Sequence, residues 1–293
     1  EGTIITVSTD NVKIRNLSIM SSWNQDTSDA NYRGIIFDSA SNCEIDNLVL
    51  GYHYSSIEIG SQFTKVSNSI IHHSAYGIEI QGGSESSIIN NTFRDNDRGL
   101  NLYNTDDVLI KDNTFYHNKI GLQVAKVSGS EIYLNLFHNN TENYGTGIIL
   151  DYESYDLDVY NNTIEYNYYG LKVDRVSSSR INNNTVQSNS IGFRMIVSDD
   201  VTFSSNIFTS NDGGLTEILP WNGDSGSNLL ENNTFDDTEF SIEGSNQTLI
   251  GNIFKNSPGY GIKLTSEYCD DNILYHNTIT NSNDEDIFVG GSG

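Results

Sequence analysis

Four charged residues, Asp151, Lys172, Asp174 and Arg194, recur at nearly equal intervals in a chain that holds only 15 basic residues. Lys172 and Arg194 are 22 positions apart and Asp151 and Asp174 are 23 apart, so a fold with that repeat would gather them on one surface. A carboxylate there could remove or deliver a proton while Lys172 or Arg194 stabilises an anionic sugar, which is acid-base chemistry with electrostatic assistance. The competing reading is a row of solvated surface ion pairs.

Two further sets bear on binding. Trp23, Tyr144 and Trp221 fall in breaks of the chain's pattern, Tyr152 and Tyr155 lie near the second break, and Tyr103 stands in the outward column of Asp151 and Asp174; such side chains offer a flat apolar face next to polar groups, which suits a sugar ring. The segment DYESYDLD places Asp151, Glu153, Asp156 and Asp158 close together. Hard oxygen donors of this kind suit Ca²⁺. Copper is disfavoured, because neither a Met cluster nor a Cys pair supplies soft ligands.

The elements that must position these residues follow from a repeat. NNTFRDNDRGLNL at 90–102, DNTFYHNKIGLQV at 112–124 and NNTIEYNYYGLKV at 161–173 share one grammar. An Asn precedes a large apolar residue, a second Asn follows, and then come Gly and an apolar-x-apolar triplet. The first Asn column reads Asn16, Asn47, Asn68, Asn91, Asn113, Asn135, Asn162, Asn184, Asn206, Asn233, Asn252 and Asn277. One Asn about every 22 residues is the self-similarity of a solenoid. A second column holds Asn96, Asn118, Asn140, Asn167, Asn189 and Asn211.

Within each unit the apolar period is two, as in Leu157, Val159, Ile164, Leu171 and Val173. Each unit therefore reads as three short strands separated by bends rich in Asn, Gly, Ser and Asp. A unit this small cannot bury its own apolar face, so equivalent strands must stack coil on coil. The expected fold is all-β, a right-handed single-stranded parallel β-helix of about 12 coils, roughly 55–60 Å long, spanning 1–293 as one domain. Inward Asn amides should form ladders between coils, and the recurring Gly should supply bend conformations.

Composition narrows the surroundings. The net charge of -24, from 39 acidic against 15 basic residues, disfavours adhesion to nucleic acid or to an anionic membrane. No apolar run is long enough to cross a bilayer. Cys43 and Cys269 stand at opposite ends and imply no disulfide framework. The chain opens EGTIITV without Met, and is read as a piece excised from a longer extracellular chain.

VSTDNVKIRNLSI at 7–19 and NNTFRDNDRGLNL resemble the β-helix repeats of carbohydrate-binding and sugar-hydrolase proteins and of NosD-like bacterial and archaeal proteins. That resemblance implies a polysaccharide or surface glycan as partner, and an extracellular, cell-surface or periplasmic location. The reading adopted is a structural or assembly domain with glycan contact. Its alternative is a polysaccharide lyase or glycoside hydrolase working on the face of Asp151, Lys172, Asp174 and Arg194. Function should sit where the repeat breaks, at 21–33, 139–147 and 216–227. Uncapped β-helix ends invite strand addition, so neighbouring domains or subunits are expected to cover them.

Overall fold

The computed structural model describes residues 2–22, 32–142, 144–211, 216–219, 226–265 and 269–290. Every strand pairs in parallel with its equivalents one coil before and after, the end strands of each sheet on one side only, giving three sheets of thirteen, twelve and twelve strands. In chain order each coil visits the first, second and third sheet in turn, as Arg98–Asp106, Leu109–Lys111 and Thr114–Tyr116 do. The described residues form no helix, so none is long and apolar enough to cross a membrane. The chain is a right-handed parallel β-helix, as the repeat predicts.

Alternation decides which side chains fill the coil. In Tyr169–Asp174, Leu171 and Val173 point inward and are buried, while Lys172 and Asp174 are partly exposed on the outside. Because the register is strict, like stacks on like. Phe93, Phe115 and Phe137 stack with centroids 4.6 Å apart and planes within 5° of parallel, and Phe208, Phe235 and Phe254 repeat the arrangement further along. The ring spacing is close to the strand spacing of about 4.8 Å, so the sheet itself sets the aromatic contact.

The Asn columns act as ladders. Asn91 donates its backbone N–H and its Nδ2 to Asn113 Oδ1 at 2.9 and 3.1 Å. Asn113 in turn donates Nδ2 to Asn135 Oδ1 and to the backbone oxygen of Ile88. The same pattern joins Asn96, Asn118, Asn140, Asn167 and Asn189. Each amide saturates buried backbone groups that the bends leave without ladder partners.

Two expectations are corrected. Asn16, Asn47 and Asn68 do not belong to the buried column. Register aligns Leu17, Leu48 and Ser69 with it, Leu48 and Ser69 buried and Leu17 exposed, while the three Asn are exposed, with φ of 58°, 57° and 53°. They align with Asn90, the left-handed bend residue of the next coil, whose Nδ2 donates to Asn68 Oδ1 at 2.7 Å. The recurring Gly serves close approach rather than a special φ. A Cβ on Gly99 would lie 2.6 Å from the Gly121 carbonyl oxygen and 2.9 Å from the Phe115 ring. The left-handed bends are taken most often by Asn and Asp, short polar residues being the ones that tolerate that conformation best.

Candidate functional site: the outer face of the first sheet

The outward columns of the first sheet gather the charged residues that the repeat aligned. Gln123, Ile149, Lys172 and Arg194 are register partners. One column on, Tyr103, Ala125, Asp151 and Asp174 are partners as well. All four residues of the proposed acid-base set are thus on one face within three coils.

One edge of this face is aromatic. Tyr144, in the break at 139–147, is 68% exposed and meets Tyr168 edge-on at 4.8 Å. Tyr168 meets Tyr169 in the same manner at 4.9 Å. Lys172 Nζ lies 5.1 Å above the Tyr169 ring, and an Arg194 guanidinium nitrogen donates to the Tyr169 hydroxyl at 3.5 Å. Tyr144 is thereby an exposed ring braced by Tyr168, which connects it through Tyr169 to Lys172 and Arg194.

The opposite edge combines carboxylates and cations. Asp151 and Asp174 face each other in register, and burial together with the Asp174 charge pushes the Asp151 carboxyl above its ordinary value. Arg175 donates Nε to Asp174 Oδ1 at 3.2 Å but stays 3.6 Å from Asp151 Oδ1, an oxygen left without a hydrogen bond. Tyr152 does not present a free ring here. Lys126 and Arg175 lie over it at 5.1 and 4.9 Å, and Lys126 also reaches toward Tyr103 at 5.9 Å. Tyr155 is exposed but sits on a separate bridge with Ser128 and Ser177, at the corner leading to the second sheet. Trp23 and Trp221 lie outside the described residues.

The oxygen-donor set does not assemble. Asp158 opens a strand of the second sheet and is held in two hydrogen bonds by Arg180, at 2.6 and 2.7 Å. Glu153 and Asp156 occupy left-handed bends, and Asp151 lies on the first sheet. Among the described residues no three His, Cys, Asp or Glu side chains are grouped to hold a metal ion. Closeness in sequence placed these carboxylates around a corner of the coil rather than around a point.

A second feature of the same face lies toward the N-terminus. Arg33, Ile36, Asp38, Glu58, Glu79 and Gln81 line a cleft of about 360 Å³. Glu58 and Glu79 are register partners on adjacent coils. Arg33 Nε is 2.6 Å from Glu58 Oε1, close enough for an ion pair though out of line for a hydrogen bond. Burial, then the Glu58 charge, raise the Glu79 carboxyl above its usual range. Glu79 is thus held above its usual range beside a second carboxylate, Glu58, that has Arg33 for a partner. Lys126 and Arg175 were missed in the sequence because they fall two places beyond the triplet, in the bend; Glu79 was aligned on this face, but its pairing with Glu58 and Arg33 was missed because Arg33 closes the first break.

Residues 2–154 and 121–235 match the family described as right handed beta helix region. The chain belongs to that family. No curated protein sequence matches it significantly. Among solved structures it is similar to the A-module of the Azotobacter vinelandii mannuronan C-5 epimerase AlgE4, at 14% identity and a TM-score of 0.61, over 99% of this chain and 79% of that one. A double mutant of the periplasmic alginate epimerase AlgG gives 17% identity and a TM-score of 0.66, over 94% and 70%. The pectate lyase Pel9A gives 14% and 0.60, over 90% and 70%. At such identities the likeness is one of fold.

Proposed function

We propose that this β-helix is a glycan-binding domain of the cell exterior, and that the glycan lies along the outer face of the first sheet. One observation carries the reading: the braced, exposed ring of Tyr144 stands across Lys172 from the Asp151, Asp174 and Arg175 edge, so that a flat apolar surface and hydrogen-bonding groups converge over a few coils. That combination suits a sugar ring, which has an apolar face and a hydroxylated rim. The relatives support it in so far as their names refer to alginate, mannuronan and pectate. A location outside the cytoplasm and a role in assembly, with neighbours covering the ends of the helix, belong to the same proposal.

The test is a glycan microarray probed with the native chain and with Tyr144→Ala. The native chain should retain at least one glycan class, and the variant should lose about 1–2 kcal/mol of that affinity, the range for an aromatic anchor. Unchanged binding by the variant would remove the contact from this face.

A catalytic reading has its own support in the cleft, where Glu79 and Glu58 differ in environment. Glu79→Gln should abolish turnover of any polysaccharide that the chain cleaves, while glycan retention persists. Asp151, Lys172, Asp174 and Arg194 would then act as subsite residues rather than as the acid-base set. Turnover that survives Glu79→Gln but not Asp174→Asn would restore them to it.

A further inference from the structure

The triplet Asn-x-Thr or Asn-x-Ser, which N-glycosyltransferases read, recurs in this chain, and the fold brings several copies into line. Asn161-Asn162-Thr163, Asn183-Asn184-Thr185 and Asn232-Asn233-Thr234 share one register, at the corner between the second and third sheets. Asn16 and Asn90 head two further copies in the same column. In the three aligned triplets the first Asn is exposed in a left-handed bend, with φ of 54°, 52° and 54°. The second is buried in the amide ladder, and the Thr opens a third-sheet strand, outward and half-buried.

Stacking requires only the middle residue. Asp112, Leu134, Ser205 and His276 take the same left-handed bend on other coils, and Val49, Ile70, Leu136 and Ile207 stand where these Thr stand. The coil therefore demands neither the bend Asn nor the hydroxyl, yet the two coincide at Asn16, Asn90, Asn161, Asn183 and Asn232. The amides differ in readiness. Asn90 Nδ2 donates to Asn68 Oδ1 at 2.7 Å, and Asn139, which heads a triplet on another corner, places its Nδ2 3.0 Å from His138 Nδ1. Among the described residues the side chains of Asn161, Asn183 and Asn232 make no hydrogen bond, so their amides are exposed and unengaged. Their corner does not border the first sheet, and a group attached there leaves the outer face of that sheet clear.

We propose that this corner is a ridge of N-glycan acceptors, with Asn161, Asn183 and Asn232 the modified residues. The donor is an oligosaccharide held through C1 to a polyprenyl phosphate or pyrophosphate. Asn Nδ2 attacks C1, the C1–O bond breaks, the lipid phosphate leaves with the electron pair, and the amide proton passes to a base of the transferase. An exposed bend carries the bulky product without displacing a buried group. The inference rests on the location outside the cytoplasm proposed above and is independent of what the first sheet binds.

The experiment secretes the whole chain, behind an added signal peptide, from a host that has such a transferase. The product is weighed intact and mapped as peptides, before and after peptide N-glycosidase, which leaves Asp at each released site. Glycan on at least two of Asn161, Asn183 and Asn232 is expected. The triple variant Thr163→Val, Thr185→Val, Thr234→Val keeps every bend and rung and places a β-branched residue where Val49 stands on its own coil. It should lose the ridge glycans while its melting curve stays native. Glycan on fewer than two of the three sites, glycan confined to Asn139 or Asn246, or ridge glycan that survives the triple variant overturns the proposal. Because the added signal supplies export, a bare chain condemns the sites and not the location, and the microarray result for the first sheet stands separately.

Discussion

The inward columns around Asn113 and the outward columns around Lys172 are made by the same coils, yet they obey opposite rules. Inside, each position repeats its predecessor: Asn on Asn, Phe on Phe, Gly on Gly. Outside, the column that holds Lys172 runs Glu79, Asn101, Gln123, Ile149, Lys172 and Arg194, with no two alike. The difference follows from solvation. A buried amide must find its partner on the next coil, because an unsatisfied polar group there costs about 1–3 kcal/mol. An outward side chain can turn to water, so its identity is free to answer to a ligand.

The comparison can be broken first from the inside. Asn113→Ala deprives the Asn91 backbone N–H and Nδ2 of their acceptor and the Ile88 carbonyl of a donor. A loss of about 4 kcal/mol is expected, read as a shift in the denaturation midpoint. Loss within about 1 kcal/mol would mean that water can enter the wall and replace the rung.

A smaller inward effect depends on pH. His53 occupies the second Asn column, donating its backbone N–H to Ser74 Oγ, and is fully buried with Nε2 unpartnered. Burial, and secondarily His72, lower its pKa from 6.5 to about 4. The folded state therefore binds fewer protons than the unfolded chain between those values, and stability falls as pH drops through that window. The loss should approach about 3 kcal/mol at the acid end and level off below it. Urea denaturation of the native chain and of His53→Asn, measured from neutral to acid pH, checks this. Parallel curves for the two would show that the imidazole is not responsible.

The outward side should yield the smallest stability change. Arg175→Ala removes contacts with Asp174 and with the Tyr152 ring, but the side chain is half exposed and its ion pair is screened. A change within about 1 kcal/mol is expected. A larger one would show that the outer face, too, serves the fold, and would dissolve the distinction between the two sides of the wall.

Much of this was legible before any coordinates. The spacing of NNTFRDNDRGLNL and its repeats announced the solenoid, the buried ladders from Asn91 onward and the shared face of Asp151, Lys172, Asp174 and Arg194. The reading slipped where local pattern and register disagree. In the first three coils an Asn stands beside a Leu or Ser, and only strand pairing reveals that Leu17, Leu48 and Ser69 align with the inward column. Tyr152 looked like an open platform because the sequence does not say that Lys126, 26 residues earlier, and Arg175, 23 residues later, lie over its ring.

The sequence by itself determined the architecture, because a period of about 22 residues with alternating apolar positions has few ways to bury its core other than stacking. Tertiary structure alone decided how charge is arranged. Net charge is a sum, indifferent to position, whereas binding depends on which charges share a face and which are already neutralised. Folding set Lys126, Lys172 and Arg175 against tyrosine rings. It also carried Asp158 around the corner to Arg180, away from the carboxylates that stand next to it in sequence.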